Sequence, residues 1–169
     1  MNAQARNPAM EGPAVRAVSA VLSGAQGGDL PLFAWTLGLA QTEQRAMLRR
    51  RFPVLAQTPM VPEGCYVRIG IAPLQFAPMA ALLREYGHRE LAEDLSDYLA
   101  RALAAACFGH RELWQDLGLR HREELDWFMV LYFPPLYRRN AASGCWKRFL
   151  FAESEHGAAA LPVCLRPDV

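Results

Sequence analysis

The sequence lacks an excess of charge of either sign. Its 18 lysines and arginines are nearly matched by 17 aspartates and glutamates. Because proteins that bind DNA or RNA concentrate basic residues on one face, this balance argues against a nucleic-acid partner. Long apolar runs are missing too, since none approaches the ~20 residues that span a bilayer and residues 1–8 contain no apolar signal core. We therefore expect a cytoplasmic protein with no membrane segment.

Catalytic motifs are also absent. No Gly-x-Gly-x-x-Gly, Gly-x-x-x-x-Gly-Lys-Ser/Thr or Gly-x-Ser-x-Gly occurs, so dinucleotide, phosphate-loop and serine-hydrolase chemistry have no motif to support them. Glu123 and Glu124 are adjacent, which favours a role at the start of a helix over an acid-base pair. The histidines form no His-Glu-x-x-His or His-x-x-x-His pair and are expected to be solvated; they are His88, His110, His121 and His156. We expect that the protein is not an enzyme.

Cysteines are few, and none of them belongs to a Cys-x-x-Cys pair. The four are Cys65, Cys107, Cys145 and Cys164. In a reducing cytosol they are expected to be thiols or metal ligands rather than disulfides. Cys107 follows an alanine-rich stretch, so its small apolar thiol is predicted to pack in the core.

What the chain does contain is helical periodicity. Apolar residues recur at i, i+4, i+7 and i+8 far more often than they alternate, which predicts an all-α, compact single-domain helical bundle. A first helix is predicted from Pro13, and two more over 79–86 and 90–108. The stretch 57–78 holds four prolines and two glycines and predicts an irregular connection, with a short strand-like piece at 65–71. The charged residues of 90–108 are expected to form a solvated face.

One sequence pattern occurs twice. Trp35 opens a Trp-x-Leu-Gly-Leu stretch that is followed by a glutamate and then Phe52-Pro53, and Trp114 opens a similar series that ends at Phe133-Pro134. Because a residue before proline is pushed out of the α region, each Phe-Pro should end a helix. Two similar helix-turn-helix units packed together are predicted.

The C-terminal half resembles the NifQ family of nitrogen-fixing bacteria. Ala106-Cys107-Phe108-Gly109 is similar to the Ala-Cys-Leu-Gly that precedes Leu-Trp-Gln-Asp-Leu-Gly-Leu in that family, which stands here at 113–119. Phe133-Pro134, Arg139-Asn140 and the aromatic run 146–151 then follow in matching order and spacing. The resemblance extends from about Ala105 to Phe151 and is weaker upstream.

The resemblance implies molybdenum handling. Members of the family are taken to carry a molybdenum-iron-sulfur cluster and to supply molybdenum for the nitrogenase iron-molybdenum cofactor. They hand it to the cofactor-assembly scaffold and the nitrogenase iron protein, and they act as carriers rather than catalysts. We expect residues 1–12 to be a flexible N-terminus, 13–155 to be a helical domain resembling this family, and 156–169 to be a tail with part of a cysteine motif.

The metal ligand implied by the resemblance is Cys164. The family's proposed ligands follow the spacing C-x4-C-x2-C-x5-C, in which Cys164 matches the first cysteine and Pro167 an internal proline. Val169 occupies the place of the second cysteine, and the sequence ends there. Three expected donors are thus missing, and an iron-sulfur cluster usually needs four thiolates.

Two functional hypotheses follow. In the first, the protein is a metal-cluster carrier in which Cys164, with Cys145 as a further candidate, supplies soft thiolate ligands that a partner or a second copy completes. In the second, it is a truncated or diverged relative that keeps the helical body for docking and has lost the cluster. The run from Trp146 to Phe151 is expected to lie in the core in both cases.

Overall fold

The computed structural model describes residues 7–140 and 144–154, and within these ranges the fold is all-α. The described residues form ten α-helices and one short 3₁₀ turn, with no strand. The helices are α1 (Pro8–Gly27), α2 (Phe33–Thr36), α3 (Gln41–Arg51), α4 (Glu63–Ile69), α5 (Phe76–Glu85), α6 (Glu93–Ala106), α7 (Leu113–Asp116), α8 (Arg122–Tyr132), α9 (Pro134–Arg139) and α10 (Trp146–Glu153). The prediction of an all-α bundle is confirmed.

Helix α6 forms the centre of the bundle and packs against α1 and α5. The C-terminal part of α6, Ala102–Ala106, is entirely buried and consists of alanines apart from Leu103. Small side chains allow the neighbouring helix axis to approach closely, and α1 presents the equally buried Ala14, Ala17 and Val21. Helices α1 and α6 therefore form the central pair of the bundle.

Helix α1 begins five residues before the predicted Pro13. Asn7 caps it, because its side-chain Oδ1 accepts a hydrogen bond from the amide of Ala9 at 3.1 Å. Pro8 then occupies the first helical position, where a missing N–H costs nothing. Pro13 lies inside the helix instead of at its start.

The prediction of a strand-like piece at 65–71 is wrong, because these residues belong mostly to α4. Pro62 is the residue directly before the helix, and Glu63 places an acid in its first turn, which the helix dipole favours. The hydroxyl of Tyr66 donates to the carbonyl of Leu39 at 3.0 Å and so ties α4 to the bundle. A lone strand would have left its backbone groups unpaired, whereas a short helix satisfies them internally.

The repeated pattern appears in the backbone as predicted. Gly38 and Gly118 follow the short helices α2 and α7 with φ of 67° and 68°, a conformation that favours glycine. Phe52 and Phe133 each end an eleven-residue helix with nearly the same backbone angles, φ −134° and ψ 60° against φ −136° and ψ 54°. Both α2 and α7 pack on α1, so α1 is the shared support of the two units.

The charges of α6 are not simply a solvated face. Asp94 receives two hydrogen bonds from Arg51 of α3, at 3.0 and 2.7 Å, and Asp97 pairs with Arg84 of α5 at 2.7 Å. Arg101 bonds Asp97 along the helix at 2.9 Å. These residues are partly buried because neighbouring helices cover them, so they connect helices as well as facing water. None of the helices in the described part of the chain has the length and apolarity needed to cross a bilayer.

Candidate functional site

A buried lysine lies where α10 meets the segment between α6 and α7. Lys147 is 4% exposed, and its Nζ donates to the carbonyl oxygens of Gly109 and Arg111 at 2.8 and 2.6 Å. The same Nζ lies 3.4 Å from Oδ2 of Asp116, whose side chain is fully buried. Nε of Arg111 donates to the other carboxylate oxygen of Asp116 at 3.0 Å. Each donor of the ammonium group therefore has an acceptor, which is the condition for burying a lysine.

Gly109 makes this close approach possible. A Cβ atom at this position would lie 2.5 Å from Oδ2 of Asp116 and 2.6 Å from Cδ2 of Leu30. Neither atom can move easily, because the carboxylate is held by two cations and Leu30 is buried in the core. Only glycine fits here, and its carbonyl accepts from the buried lysine.

Three of the five family signatures meet at this point. Gly109 comes from the Ala-Cys-Phe-Gly piece, Asp116 from the Leu-Trp-Gln-Asp piece, and Lys147 from the aromatic run of α10. In the sequence these residues are up to 38 positions apart, whereas in the fold they are in direct contact. One residue from each of these signatures thus joins a single polar cluster, in which Asp116 and Lys147 are buried and Arg111 is exposed. We call it the Lys147 cluster (Gly109, Arg111, Asp116 and Lys147).

A cavity of about 190 Å³ opens beside the Lys147 cluster. Cys145, which directly precedes α10 and is half-buried, lies in its wall together with Trp114 and Arg122. A guanidinium nitrogen of Arg122 comes within 3.4 Å of the position that a Gly144 side chain would take. The Cys145 thiol is therefore placed next to charged groups at a cavity rather than within the apolar core.

The other described cysteines, Cys65 and Cys107, differ in their exposure to solvent. Cys65 is exposed on α4, whereas Cys107 is fully buried after α6. Burial raises the pKa of the Cys107 thiol to about 12, and the nearby charge of Lys147 offsets only part of this rise. Cys107 is thus a neutral packing group, as predicted. Cys164, the ligand implied by the resemblance, lies outside the described residues.

No multidentate metal site is formed by residues 7–140 and 144–154. These ranges contain no group of three or more histidine, cysteine, aspartate or glutamate side chains that could hold a metal ion. His110 and His121 are exposed and His88 is half-buried, while His156 lies outside the described residues. A four-thiolate cluster therefore does not fit this part of the chain.

A second surface feature was not predicted from the sequence. On α8 the side chains of Trp127, Val130 and Leu131 are 75%, 42% and 38% exposed. They border a groove of about 940 Å³ between α8, α1 and the end of α7, which also contains Pro13 and Leu119. We call this the α8 groove. Its signal in the sequence is that Leu125–Tyr132 is apolar on every side of the helix except at Asp126.

Sequence reasoning also missed the buried role of Lys147. It assigned the aromatic run 146–151 to the core, which is confirmed for Trp146, Phe149, Leu150 and Phe151. The available signal was that Lys147 lies three residues before Leu150 and four before Phe151, and so on their face of the helix. A lysine at such a position requires a buried acceptor, but its partner Asp116 could not be inferred from local pattern.

Comparison with known proteins decides the family. The model of the NifQ family matches residues 17–168, which is most of the chain. The chain belongs to the NifQ family. It is 30% identical to Protein NifQ of Azotobacter vinelandii over 137 residues, which cover 76% of this chain and 69% of that protein.

Other NifQ relatives match over shorter stretches. The Protein NifQ homolog of Sinorhizobium fredii is 33% identical over 116 residues, or 68% of this chain and 48% of that protein. Protein NifQ of Rhodobacter capsulatus is 35% identical over 71 residues, or 42% of this chain and 39% of that protein. The chain thus spans about half or less of the length of these two relatives. No solved structure matches it significantly.

Proposed function

We propose that this protein carries molybdenum for assembly of the nitrogenase iron-molybdenum cofactor. Membership of the NifQ family supports a role in nitrogen fixation, and the family match over residues 17–168 carries the proposal because it includes Cys164. In this role the metal is cargo. The protein binds and passes it on without catalysing a reaction, and it works in the cytoplasm with the cofactor-assembly scaffold and the nitrogenase iron protein as partners.

The chemistry of the tail supports a transferable metal rather than a permanent one. A thiolate is a soft, charged donor that suits iron and sulfur-bound molybdenum. Cys164 is one such donor, and Cys145 is the described cysteine best placed to add another, because it lines a cavity while Cys107 is sealed in the core. A site with few ligands from one chain would hold its cargo weakly and release it to a partner that supplies the remaining donors.

The proposal is tested on protein purified without oxygen. Molybdenum and iron per chain, together with visible absorption, are measured for the natural protein and for Cys164→Ser, alone and mixed with the assembly scaffold. Cys65→Ser is the matched control, because Cys65 is an exposed thiol that does not line the cavity. We expect the natural protein and the control to retain molybdenum and the Cys164 variant to lose it.

Two outcomes contradict this proposal. If Cys164→Ser retains as much metal as the control, Cys164 is not a ligand. If no form binds or transfers molybdenum but the protein still binds the scaffold, the chain is a docking module that has lost the cluster. The second candidate is favoured by one observation, namely that the described residues offer no set of three metal-binding side chains.

A further inference from the structure

Helix α8 has apolar side chains on two opposite faces. Phe128, Met129 and Tyr132 are buried against the bundle, while Trp127 and Leu131 border the α8 groove and are exposed. A surface helix normally buries one apolar stripe and presents polar residues to water, and a helix that is apolar all round is normally covered on both sides. Contiguous exposed apolar surface of this kind marks a binding site. The groove thus calls for an apolar occupant.

The chain itself contains a segment of matching chemistry. After α10 come residues 155–169, in which Leu161, Val163 and Leu165 alternate with Pro162 and Cys164. Alternation with a period of two places the three large apolar side chains on one face of an extended segment. Cys164 then falls on the opposite face. Such a segment can bury an apolar edge while leaving its thiol outside.

The end of α10 lies close enough for this segment to reach the groove. Oε2 of Glu153 pairs with Nη2 of Arg139 at 2.5 Å, and the guanidinium carbon of Arg139 lies 5.6 Å from the ring centre of Tyr86. His88, two residues beyond Tyr86, lines the α8 groove, as does Pro134 at the start of α9. The seven residue-to-residue steps from Ser154 to Leu161 span up to ~23 Å when extended, which exceeds the ~9 Å length of the short helix α9.

We propose that residues 161–165 occupy the α8 groove in an extended conformation, with Leu161, Val163 and Leu165 against α8 and the Cys164 thiol facing outward. The segment is connected to the same molecule, so it binds at a high effective concentration that a separate chain would have to match. The docking stands independently of metal binding. Its consequence, that the thiol is presented to a partner able to take the cargo, rests on the function proposed above.

The first test measures how accessible Trp127 is in the full chain. Among the four tryptophans Trp35 and Trp146 are buried and Trp114 is half-buried, so acrylamide quenching reports chiefly on Trp127. A Trp127→Phe variant verifies this assignment. If the segment covers the groove, Val163→Asp should raise the quenching constant about twofold and shift the emission to longer wavelength, because an aromatic ring is transferred from an apolar contact to water.

The matched control for this test is Arg166→Asp, which also adds an acid to the segment but on the face away from the groove. We expect it to leave Trp127 quenching unchanged. Circular dichroism checks that all variants keep the helical fold. If Val163→Asp and Arg166→Asp give the same quenching as the natural protein, the segment does not cover Trp127 and the proposal is overturned.

The second test traps the contact covalently. Val163→Cys is combined with Leu131→Cys in the groove or, as the control, with Leu74→Cys, which lies before α5 and is 88% exposed. Three native cysteines are first replaced: Cys65→Ser, Cys145→Ser and Cys164→Ser. Mild oxidation should give an intramolecular disulfide with Leu131→Cys and not with Leu74→Cys, since a disulfide needs Cα atoms within about 7 Å.

The trapping result distinguishes the possible occupants. Equal trapping at both positions, or none at Leu131→Cys, overturns the proposal. Disulfide-linked dimers would assign the groove to the tail of a second copy and also overturn it. Because no metal is involved, failure here leaves the molybdenum assay unaffected, and loss of metal binding in Cys164→Ser leaves the trapping result unaffected.

Discussion

Replacing Lys147 by methionine tests the Lys147 cluster most directly. Methionine keeps most of the side-chain volume and removes the charge. The change leaves Asp116 with Arg111 as its only cationic partner among the described residues, and it leaves the carbonyl oxygens of Gly109 and Arg111 without the donor they share. The fold should therefore lose stability through unpaired buried polar groups rather than through a cavity.

The expected loss is about 3 kcal/mol in the free energy of unfolding. Breaking a buried ion pair by removing one partner costs about 3–5 kcal/mol. The lower end applies because Arg111 continues to neutralise Asp116 at 3.0 Å. In a domain of this size each kcal/mol lowers Tm by roughly 2–4 °C, so a fall of roughly 6–12 °C is expected.

Urea unfolding followed by circular dichroism measures this loss. Arg148→Met is the control, because Arg148 is the exposed neighbour on the same helix and should change stability by less than about 0.5 kcal/mol. The double variant Lys147→Met with Asp116→Asn should cost less than the sum of the single changes by about 1 kcal/mol or more, since the two residues interact. Equal stability of Lys147→Met and Arg148→Met, or strict additivity in the double variant, would refute the reasoning.

Three further predictions concern Gly109, Asp94 and the cysteines. Gly109→Ala should destabilise the protein by about 1–3 kcal/mol in urea unfolding, because its Cβ meets a held carboxylate at 2.5 Å. Burial alone would raise the pKa of Asp94, but the hydrogen bonds and charge of Arg51 outweigh it and hold that pKa below its usual value. Asp94→Asn should therefore cost about 1–2 kcal/mol at pH 7, and this difference should shrink below about pH 4 and vanish in stronger acid, as measured by unfolding at several pH values. A thiol reagent should modify Cys65 rapidly and Cys107 only after unfolding, because the first is exposed and the second is buried with a raised pKa; rapid reaction of Cys107 in the folded protein would contradict its placement.

The positions at which helices end were well predicted from the sequence. Phe52 and Phe133 end their helices as the following prolines require. The structure adds that Gly38 and Gly118, at matching places in the repeated pattern, both adopt a positive φ. These features depend on backbone sterics within a few residues, so the local sequence is sufficient. The prediction of a strand-like piece at 65–71 was wrong because a strand depends on a partner strand elsewhere in the chain. The described residues provide no such partner.

The sequence by itself determined the helical class, the helix stops and the family, because periodicity, backbone restriction and signature spacing are all properties of neighbouring residues. Only the tertiary structure decided that Lys147 is buried on Asp116 while Trp127 faces outward. From side-chain chemistry alone, the charged lysine would be expected in water and the apolar tryptophan in the core. Whether a side chain meets water or protein depends on segments that are distant in the chain. Here Lys147 is buried because α10 packs against Gly109, and Trp127 is exposed because its side of α8 borders the α8 groove.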